Sequence, residues 1–334
     1  MGLRRLLIAN RGEIAIRIAR AAAELGIETV GVFSEDDAGS LHLRHIGRRH
    51  ALRGSGPRAY LDVEEIVSAA RTTGCDALHP GYGFLSERAD LASRCAAAGV
   101  VFVGPPPAIL ALLGDKAAAR RLASSCGVPV LAGTNGATTV EEAGALLATS
   151  GAIMVKAVAG GGGRGMRPVE RNDDLAAAWT RCRSEAEAAF GNGALYAEEL
   201  LPRARHVEVQ IVGDGTGAVV HLGERDCSLQ RRRQKLIEIA PAPGLDEPVR
   251  AALAAAAVRM AAEVRYASLG TFEFLVDGDR AGRFAFIEAN PRLQVEHPIT
   301  EALTGVDLVA TQLRLAGGAS LADLGLRQAD GGAS

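Results

Sequence analysis

The sequence lacks the patterns that mark several common protein classes. Its five cysteines form no CxxC pair and have no spacing to histidine that is typical of a metal site, which indicates reduced thiols in a cytoplasmic compartment. Only 4% of the residues are aromatic, and no apolar run is long enough to span a bilayer. The net charge is −2 and the basic residues are scattered. We therefore expect no membrane segment, no targeting leader and no nucleic-acid-binding surface.

The length of the chain and its first predicted elements indicate the kind of fold, and two common nucleotide-binding motifs are absent. At 334 residues with 48% hydrophobic content, the chain is large enough for two or three subdomains. It opens with a predicted strand at 6–9, a helix at 14–25 and a strand at 29–33, which is a Rossmann-like beginning. The turn between the first two elements has no GxGxxG, so a dinucleotide site is not expected. The glycine-rich stretch near residue 160 is not a Walker A sequence.

Two glycine-rich stretches follow predicted strands. The first, HPGYGFLSE at 79–87, is either a ligand loop at the carboxyl end of its strand or a structural turn. The second, AGGGGRGM at 159–166, follows a strand that contains Lys156. Glycine runs are often flexible linkers, but their backbone N–H groups can also approach phosphates closely. The lysine and Arg164 favour a mobile lid over phosphates.

The densest group of charged residues lies in the stretch 271–301, which we predict to begin with a β-hairpin. The expected register places Thr271 opposite Glu288, so that Glu273 shares the face of Glu288. Two carboxylates on one half-buried face repel each other unless a cation lies between them, and Asn290 adds a neutral oxygen suited to Mg²⁺. The alternative is an exposed acidic face on an edge hairpin.

The segments around this hairpin carry further signals. A strand before it alternates so that Glu208 shares the face of His206. The basic run at 225–235 is either a solvated segment, which is usual for such runs, or an anion-binding segment that faces the acidic hairpin. A last helix is predicted over 299–315, and the tail at 317–334 is weakly patterned.

Seven segments, taken together, resemble the biotin carboxylase family of the ATP-grasp superfamily. They are IANRGEIAIRI, HPGYGFLSE, GDK, VKAVAGGGGRGM, RHVEVQ, ERDCSLQRRRQK and FIEANPRLQVEHPITE. The resemblance implies an α/β and α+β fold with a Rossmann-like N-terminal domain and an ATP-grasp region. The implied parts are an N-terminal domain at 1–114, a lid domain with its entry helix at 115–203, a central ATP-grasp domain at 204–316, and a disordered tail at 317–334.

By resemblance, the reaction is the ATP-dependent carboxylation of biotin on a carrier, as in acyl-CoA carboxylases. Bicarbonate attacks the γ-phosphate of ATP to give carboxyphosphate, whose breakdown supplies the CO₂ that biotin captures. The implied cofactors are ATP and one or two Mg²⁺ ions, for which Mn²⁺ can substitute, with biotin as carrier-bound substrate. The implied partners are a biotin carboxyl carrier protein or domain and a carboxyltransferase subunit, and the family forms homo-oligomers.

The resemblance also assigns roles to individual residues. Glu273 and Glu288 hold the metal with help from Asn290, and the catalytic residues are Arg292, Glu296 and Lys235, with Glu296 as the base. The residues implied to bind bicarbonate are Lys235, Arg292, Gln294, Val295 and Glu296. The residues implied to bind ATP are Lys116, Lys156, Gly162, Gly163, Glu198, Glu199, Leu201, His206, Gln230, Arg233, Glu273 and Glu288.

The sequence departs from the family pattern in three places, and the last of them favours a second interpretation. Glu199 stands where the family usually has lysine, and Arg233 stands where it often has histidine. The sequence also stops before the family's C-terminal subdomain, which supplies an arginine near biotin, and it has no Met-Lys-Met biotinylation sequence. The alternative is therefore a truncated or degenerate ATP-grasp module that binds nucleotide and acts only with a partner chain. A carbamoyl-phosphate-forming ligase is disfavoured by QVEHPITE at 294–301.

Overall fold

The structure, a computed structural model, describes residues 2–134, 136–158, 165–231 and 233–327. These residues form one parallel sheet and two antiparallel sheets, each covered by helices. The mixture confirms the predicted α/β and α+β class. Within these four ranges, no helix has the length and apolar character needed to cross a membrane.

The N-terminal part is an open parallel sheet with helices on both faces. Its elements are, in chain order, β1 (Arg5–Ile8), α1 (Gly12–Glu24), β2 (Glu28–Phe33), β3 (Arg48–Ala51), α2 (Val63–Thr72), β4 (Ala77–His79), α3 (Ala89–Ala97) and β5 (Val101–Phe102). The strand order is β3-β2-β1-β4-β5. Leu6 and Ile8 pack with α1 on one face, and Leu7 packs with α2 and α3 on the other, which explains why β1 is apolar throughout.

A small antiparallel sheet follows two connecting helices. The elements are α4 (Pro107–Gly114), α5 (Lys116–Ser125), α6 (Val140–Ser150), β6 (Ile153–Ala157), β7 (Met166–Val169), α7 (Asn172–Phe190) and β8 (Leu195–Glu199). The strand order is β7-β6-β8. The predicted start of α5 near Lys116 is confirmed, because Asp115 accepts a hydrogen bond from the N–H of Ala118 and so caps the helix.

The third sheet is antiparallel and carries the predicted metal hairpin. Its elements and those that follow are β9 (Ala204–Asp214), β10 (Val219–Arg231), β11 (Gln234–Ile239), α8 (Glu247–Glu263), β12 (Ala267–Asp277), β13 (Phe284–Asn290), α9 (His297–Thr304) and α10 (Leu308–Ala316). The strand order is β11-β10-β9-β12-β13. Val207, Val209 and Ile211 pack against α8, so the alternate residues of β9 face away from that helix.

Two predictions about this region are wrong, one of them only in part. The single helix expected over 299–315 is two helices, because Gly305 ends α9 with a φ of +70° and Asp307 caps α10 by accepting from the N–H of Ala310. Of the two alternatives for the basic run at 225–235, the solvated segment is wrong for the start of the run, whereas Leu229, Arg231 and Gln234 are exposed. The run forms the end of β10 and the start of β11, and Arg225 is fully buried.

The predicted register of the β12–β13 hairpin is also wrong, although both glutamates do lie on one face. Thr271 pairs with Asn290, and Glu273 pairs directly with Glu288. The register shifts between Glu273 and Phe274, which leaves Ile287 as an extra residue in β13. Strict alternation cannot reveal such a bulge.

The first part of the predicted tail is packed, which differs from the expected disorder. Leu321 is buried in the core beside α1 and α10, and its N–H donates to Asp214 at 3.2 Å. Residues 328–334 of the predicted tail lie outside the described part of the chain.

Candidate functional site

A row of four charged side chains crosses the third sheet. Arg225 on β10 pairs with Glu208 on β9, Glu208 pairs with Glu273 on β12, and Glu273 pairs with Glu288 on β13. Residues directly opposite each other in antiparallel strands point to the same face and lie about 5 Å apart at Cβ. The sheet register therefore lines up one guanidinium and three carboxylates on the face opposite α8.

Lys235 lies at the centre of this row. Its Nζ is 2.5 Å from Glu208 Oε2, 3.0 Å from Glu273 Oε1 and 2.7 Å from Glu296 Oε1. Burial alone would lower the pKa of Lys235, but the charges of Glu273 and Glu208 outweigh it and raise that pKa above its usual value. Lys235 is thus a fixed ammonium that joins the row on the sheet to Glu296, which lies beyond the hairpin.

Arg225 stabilises the first carboxylate of the row. Its Nε donates to Glu208 Oε1 at 2.5 Å, and its Nη1 donates to Gln210 at 3.0 Å and to Thr300 at 2.8 Å. Burial alone would raise the pKa of Glu208, but Arg225 and Lys235 outweigh it and hold that pKa well below its usual value. Glu208 is therefore a permanent anion with a cation on each oxygen.

Glu273 is the carboxylate of the row that lacks such compensation. Burial raises its pKa above the usual value and outweighs both the hydrogen bond from His206 and the charge of Lys235. Asn290 also donates from Nδ2 to Glu273 Oε1 at 2.7 Å. Glu288 lies opposite and is less buried, with Lys116 Nζ 3.6 Å from its Oε2. Burial opposes ionisation of Glu288, but the charges of Lys116 and Lys156 outweigh it and lower its pKa. Two adjacent carboxylates, of which Glu273 is incompletely compensated, fit a divalent cation with oxygen ligands.

His206 connects Glu273 to β10. Its Nε2 lies 2.5 Å from Glu273 Oε2, and its Nδ1 lies 2.8 Å from Gln230 Nε2. With the Gln230 amide donating to Nδ1, the ring donates from Nε2 to Glu273. Burial lowers the pKa of His206, but Glu273 outweighs this and raises it. The predicted residues His206, Gln230 and Glu273 thus form one connected chain.

A second group of predicted residues lies where the small sheet joins the third sheet. The buried carboxylate of Glu198 on β8 forms ion pairs with Lys156 on β6 and with Arg120 on α5. Arg120 Nη2 also donates to the carbonyl of Leu131 at 2.6 Å. Lys156 therefore lies against Glu198 in this structure, and Arg120, which the sequence did not single out, holds the same carboxylate from the other side.

The structure shows which residues contact Glu199 and Arg233, the two positions that depart from the family pattern. Glu199 accepts from Arg283 Nη2 at 2.7 and 2.8 Å, so its charge is paired at the tip of the β12–β13 hairpin. Arg233 has a φ of +66° in the tight turn between β10 and β11, and its Nη1 is 3.0 Å from Met154 Sδ on β6. Burial lowers the pKa of Arg233. Leu201 is buried against Leu131.

The predicted anion-binding residues follow β13. Arg292 forms an ion pair through Nε with Glu87, which ends the loop at 79–87. Its Nη1 donates to the carbonyl of Leu293 and to Gln294 Oε1. Gln294 is itself fixed, because its Nε2 donates to Thr271 at 2.9 Å. The ion pair between Glu87 and Arg292 therefore links the loop at 79–87 to the segment that is predicted to bind bicarbonate.

The remaining members of that segment differ in exposure. Val295 is 59% exposed and Glu296 is 9% exposed, and α9 begins at the next residue, His297. The N–H groups at the start of a helix favour anions. Gly162 and Gly163, the predicted lid residues, lie outside the described part of the chain.

A third acidic grouping consists of Glu208, Glu296 and Cys227, whose ligand atoms lie within 4.8 Å of one another. It is a poor metal site, because the ammonium of Lys235 already lies between the two carboxylates and burial raises the pKa of the Cys227 thiol. Metal ligands need deprotonated donors. Glu273 and Glu288 remain the better candidates.

Sequence reasoning missed several residues of the site. The alternation puts Glu208 on the correct face of β9 but gives it no role. Arg225 lies in a basic run of a kind that usually indicates solvent exposure. The others are Glu87, Arg120 and Arg283. Their partners lie 205, 78 and 84 positions away in the sequence, and only the folded chain brings such pairs together.

Two family models match the chain. Residues 2–110 match the biotin carboxylase N-terminal domain, and residues 115–324 match the ATP-binding domain of the carbamoyl-phosphate synthase L chain. Among curated proteins, mitochondrial pyruvate carboxylases from Rattus norvegicus and Homo sapiens are each 51% identical to 98% of this chain. The chain spans only 28% of the length of these two relatives.

Solved structures agree with these matches. Biotin carboxylase from Campylobacter jejuni has a TM-score of 0.92 and 43% identity, over 96% of this chain and 72% of that one. The biotin carboxylase domain of 2-oxoglutarate carboxylase from Hydrogenobacter thermophilus, solved with MgADP and bicarbonate, has a TM-score of 0.91 and 42% identity, over 96% of this chain and 71% of that one. With this coverage and identity, the chain belongs to the biotin carboxylase family, whose members are ATP-grasp ligases.

Proposed function

We propose that this chain carries out the ATP-dependent carboxylation of biotin on a carrier, with bicarbonate as the carbon source. The observation that carries this proposal is the position of Lys235, whose ammonium contacts Glu208, Glu273 and Glu296 at once. One cation thereby joins a predicted metal ligand to the predicted base. Phosphoryl transfer needs such charged groups fixed in place, because negative charge is spread over the transferring oxygens.

In the first step, bicarbonate and ATP react with the help of three side chains. Lys235 and Arg292 hold the bicarbonate anion, and the carboxylate of Glu296 accepts its proton. A bicarbonate oxygen forms the bond to the γ-phosphorus, the bond to the bridging oxygen breaks, and ADP leaves. Carboxyphosphate then splits into CO₂ and phosphate. The phosphate accepts the proton of a ureido N–H of biotin, and that nitrogen forms the bond to CO₂. The backbone of Gln294 and Val295 completes the bicarbonate site.

The metal site proposed for this reaction consists of Glu273, Glu288 and Asn290. These residues would hold Mg²⁺, whose positive charge would offset the negative charge that develops on the phosphate during transfer. The raised pKa of Glu273 supports this assignment, since a nearby cation would favour its ionised form. We place one or two Mg²⁺ ions here and expect Mn²⁺ to substitute.

The nucleotide is proposed to extend from this site toward the small sheet. Lys116 and Lys156 would neutralise its phosphates, and the loop with Gly162 and Gly163 would cover them. Glu198 and the backbone of Glu199 and Leu201 would hold adenine, while His206 and Gln230 would lie on the ribose side, with Arg233 nearby. In this arrangement, Lys156 must leave Glu198 to reach a phosphate, because the two form an ion pair here.

The partners proposed for the chain follow from the lengths of its relatives. Because the chain spans 28% of the pyruvate carboxylases it matches, the carrier and the carboxyltransferase would be supplied by other domains or subunits, and the acceptor would be chosen there. We also propose a homo-oligomer. A cytoplasmic location fits the five cysteines, all of which are free thiols.

The test is ATP cleavage by the purified chain with Mg²⁺, with and without bicarbonate and free biotin. Arg292→Ala is the test variant, and Arg280→Ala, an exposed arginine in the turn of the same hairpin, is the matched control. We expect turnover that bicarbonate stimulates, that Arg280→Ala retains and that Arg292→Ala loses. Equal turnover in all three proteins would overturn the proposed bicarbonate site.

A second candidate function is nucleotide binding by a module that acts only with a partner chain. Tight binding of MgATP without bicarbonate-stimulated cleavage would support this candidate and would direct the search to the polypeptide that completes the enzyme.

A further inference from the structure

Arg283 lies at the tip of the metal hairpin and reaches the segment that joins β8 to β9. One of its nitrogens, Nη2, donates to both oxygens of Glu199, at 2.7 and 2.8 Å. The other, Nη1, donates to Asp277 Oδ2 at 3.0 Å. The exposed fractions of the three side chains are 30%, 18% and 7% for Arg283, Glu199 and Asp277. The ion pairs are therefore partly shielded from solvent, which limits screening by salt.

The segment held by Arg283 is one of two chain crossings between the small sheet and the rest of the protein. The N–H of Glu199 donates to the carbonyl of Ala132 at 2.7 Å, on the other crossing, and the N–H of Leu200 donates to Ala152 at 3.0 Å. These two hydrogen bonds hold the backbone N–H groups of residues 199 and 200 and do not involve the side chain of Glu199. The ion pair with Arg283 supplies the side-chain anchor on the hairpin side.

The hairpin turn itself fits closely against this segment. The N–H of Gly278 donates to the carbonyl of Arg203 at 2.8 Å, and a Cβ added at Gly278 would lie 2.5 Å from that oxygen. Arg203 also forms an ion pair with Asp279. These contacts join the end of the segment, at residue 203, to the hairpin turn, and Arg283 joins its start, at residue 199, to the same hairpin.

We propose that Arg283 is a positioning residue for the adenine end of the nucleotide: its ion pair with Glu199 fixes the backbone of residues 199–201 relative to the hairpin that carries Glu273 and Glu288. The inference rests on the proposed function and deepens it. One rigid hairpin then sets both ends of the nucleotide site, since Arg283 precedes Glu288 by five residues, about 17 Å along an extended strand. Glu199, which stands where the family usually has lysine, has an arginine as its partner here.

The proposal predicts a selective loss of affinity. Without the ion pair, the backbone of 199–201 has to be ordered by the nucleotide, and that cost weakens MgATP binding. The triphosphate site on Glu273, Glu288 and the lysines does not depend on Arg283. Inorganic tripolyphosphate with Mg²⁺ should therefore bind unchanged, which a general loosening of the fold would not allow.

The test is the Kd of MgATP and of magnesium tripolyphosphate, measured by calorimetry on the full chain. Arg283→Gln and Glu199→Gln should each weaken MgATP about three- to tenfold and leave tripolyphosphate within about twofold. Arg283→Lys, which keeps the charge that faces both Glu199 and Asp277, should recover most of the affinity. Arg280→Gln is the matched control, and thermal melting of each variant reports folding.

The outcomes separate this inference from the proposed function. If the unaltered chain binds neither ligand, the proposed function fails and the inference fails with it. If the unaltered chain binds MgATP and Arg283→Gln binds it equally well, the inference alone is overturned. The inference is also overturned if Arg283→Gln weakens tripolyphosphate as much as MgATP, because the residue would then act on the fold as a whole.

Discussion

Two charged clusters in this molecule contain similar types of residue. They differ in how far cations and hydrogen-bond donors compensate the charge of each carboxylate. At the carboxyl edge of the parallel sheet, Asp37 accepts hydrogen bonds from Arg11 at 2.9 Å, Tyr60 at 2.8 Å and Ser40 at 2.8 Å. The Arg11 guanidinium also lies over the rings of Tyr60 and Phe84, 5.4 and 5.7 Å from their centroids. One carboxylate thus has a full set of donors, and nothing remains to attract a ligand.

On the third sheet, Glu208, Glu273 and Glu296 share the cations unequally. Lys235 serves Glu208, Glu273 and Glu296, and Arg225 serves only Glu208. The pKa of Glu208 is lowered while burial raises that of Glu273. Complete compensation is typical of a structural cluster, whereas unequal compensation inside one row leaves a site that gains from binding a cation. The degree of compensation, more than the density of charge, therefore distinguishes the two sites.

The largest expected effect follows from the carboxylate assigned as the base. Glu296→Gln keeps the size of the side chain and removes its ability to accept the bicarbonate proton. Bicarbonate-dependent ATP cleavage should fall about 10²- to 10⁴-fold, while the Kd of MgATP stays within about twofold. Steady-state kinetics and calorimetry measure the two quantities. Glu263→Gln, an exposed position on α8, is the control, and undiminished turnover in Glu296→Gln would remove this residue from the mechanism.

The next largest effect concerns the stability of the row itself. In Glu208→Gln, one amide must face two cations, Arg225 and Lys235, and its NH₂ group cannot accept a hydrogen bond from either. The free energy of unfolding should fall by about 3 kcal/mol, as expected when a buried charge loses its partner. Urea denaturation measures the change.

A surface ion pair provides the matched control for this prediction. Glu64 lies 2.8 Å from Arg94, and both side chains are more than half exposed, at 68% and 61%. Glu64→Gln should change the free energy of unfolding by less than about 0.5 kcal/mol. If Glu208→Gln changed the free energy of unfolding as little as Glu64→Gln, the charges of the row on the third sheet would be as well solvated as surface charges. The proposed difference between the two clusters would then be wrong.

Much of the fold could be predicted from the sequence because the local signals were strong. The strands predicted at 6–9 and 29–33 and the helix predicted at 14–25 agree with β1, β2 and α1 to within two residues at each end. The pattern failed where a single residue changes the geometry. The bulge at Ile287 shifts the hairpin register without altering which residues are apolar, and Gly305 ends a helix inside a continuous apolar pattern.

The candidate site was predictable in its parts and not in its connections. Local spacing placed Glu273 and Glu288 on one face, and the family resemblance supplied the roles. Sequence alone could not show that Arg225 is buried, because a run of arginines is usually solvated. Nor could it pair Arg283 with Glu199, since long-range ion pairs are set by packing and leave no local periodicity.

The smallest expected effect comes from the fully compensated cluster. Asp37→Asn keeps the shape of the side chain and removes the charge that accepts from Arg11, Tyr60 and Ser40. The free energy of unfolding at pH 7 should fall by about 1.5–2 kcal/mol, the lower part of the usual range for hydrogen bonds to a charged group. MgATP binding should not change, because none of these residues belongs to the proposed site. A loss of nucleotide affinity would show that the two clusters are coupled.

The pH dependence of this effect has a definite sign. Burial opposes ionisation of Asp37, but the hydrogen bonds from Arg11, Tyr60 and Ser40 outweigh it and lower its pKa from 3.8 to about 2. The unfolded chain therefore binds the proton first as the pH falls, so the stability that Asp37 contributes is complete above about pH 5 and declines between about pH 4 and pH 2. The difference in unfolding free energy between the unaltered chain and Asp37→Asn should be constant from pH 7 to pH 5 and shrink below pH 4. A difference that grows on acidification would mean that Asp37 is protonated in the folded chain, and that its cluster is no better compensated than the row on the third sheet.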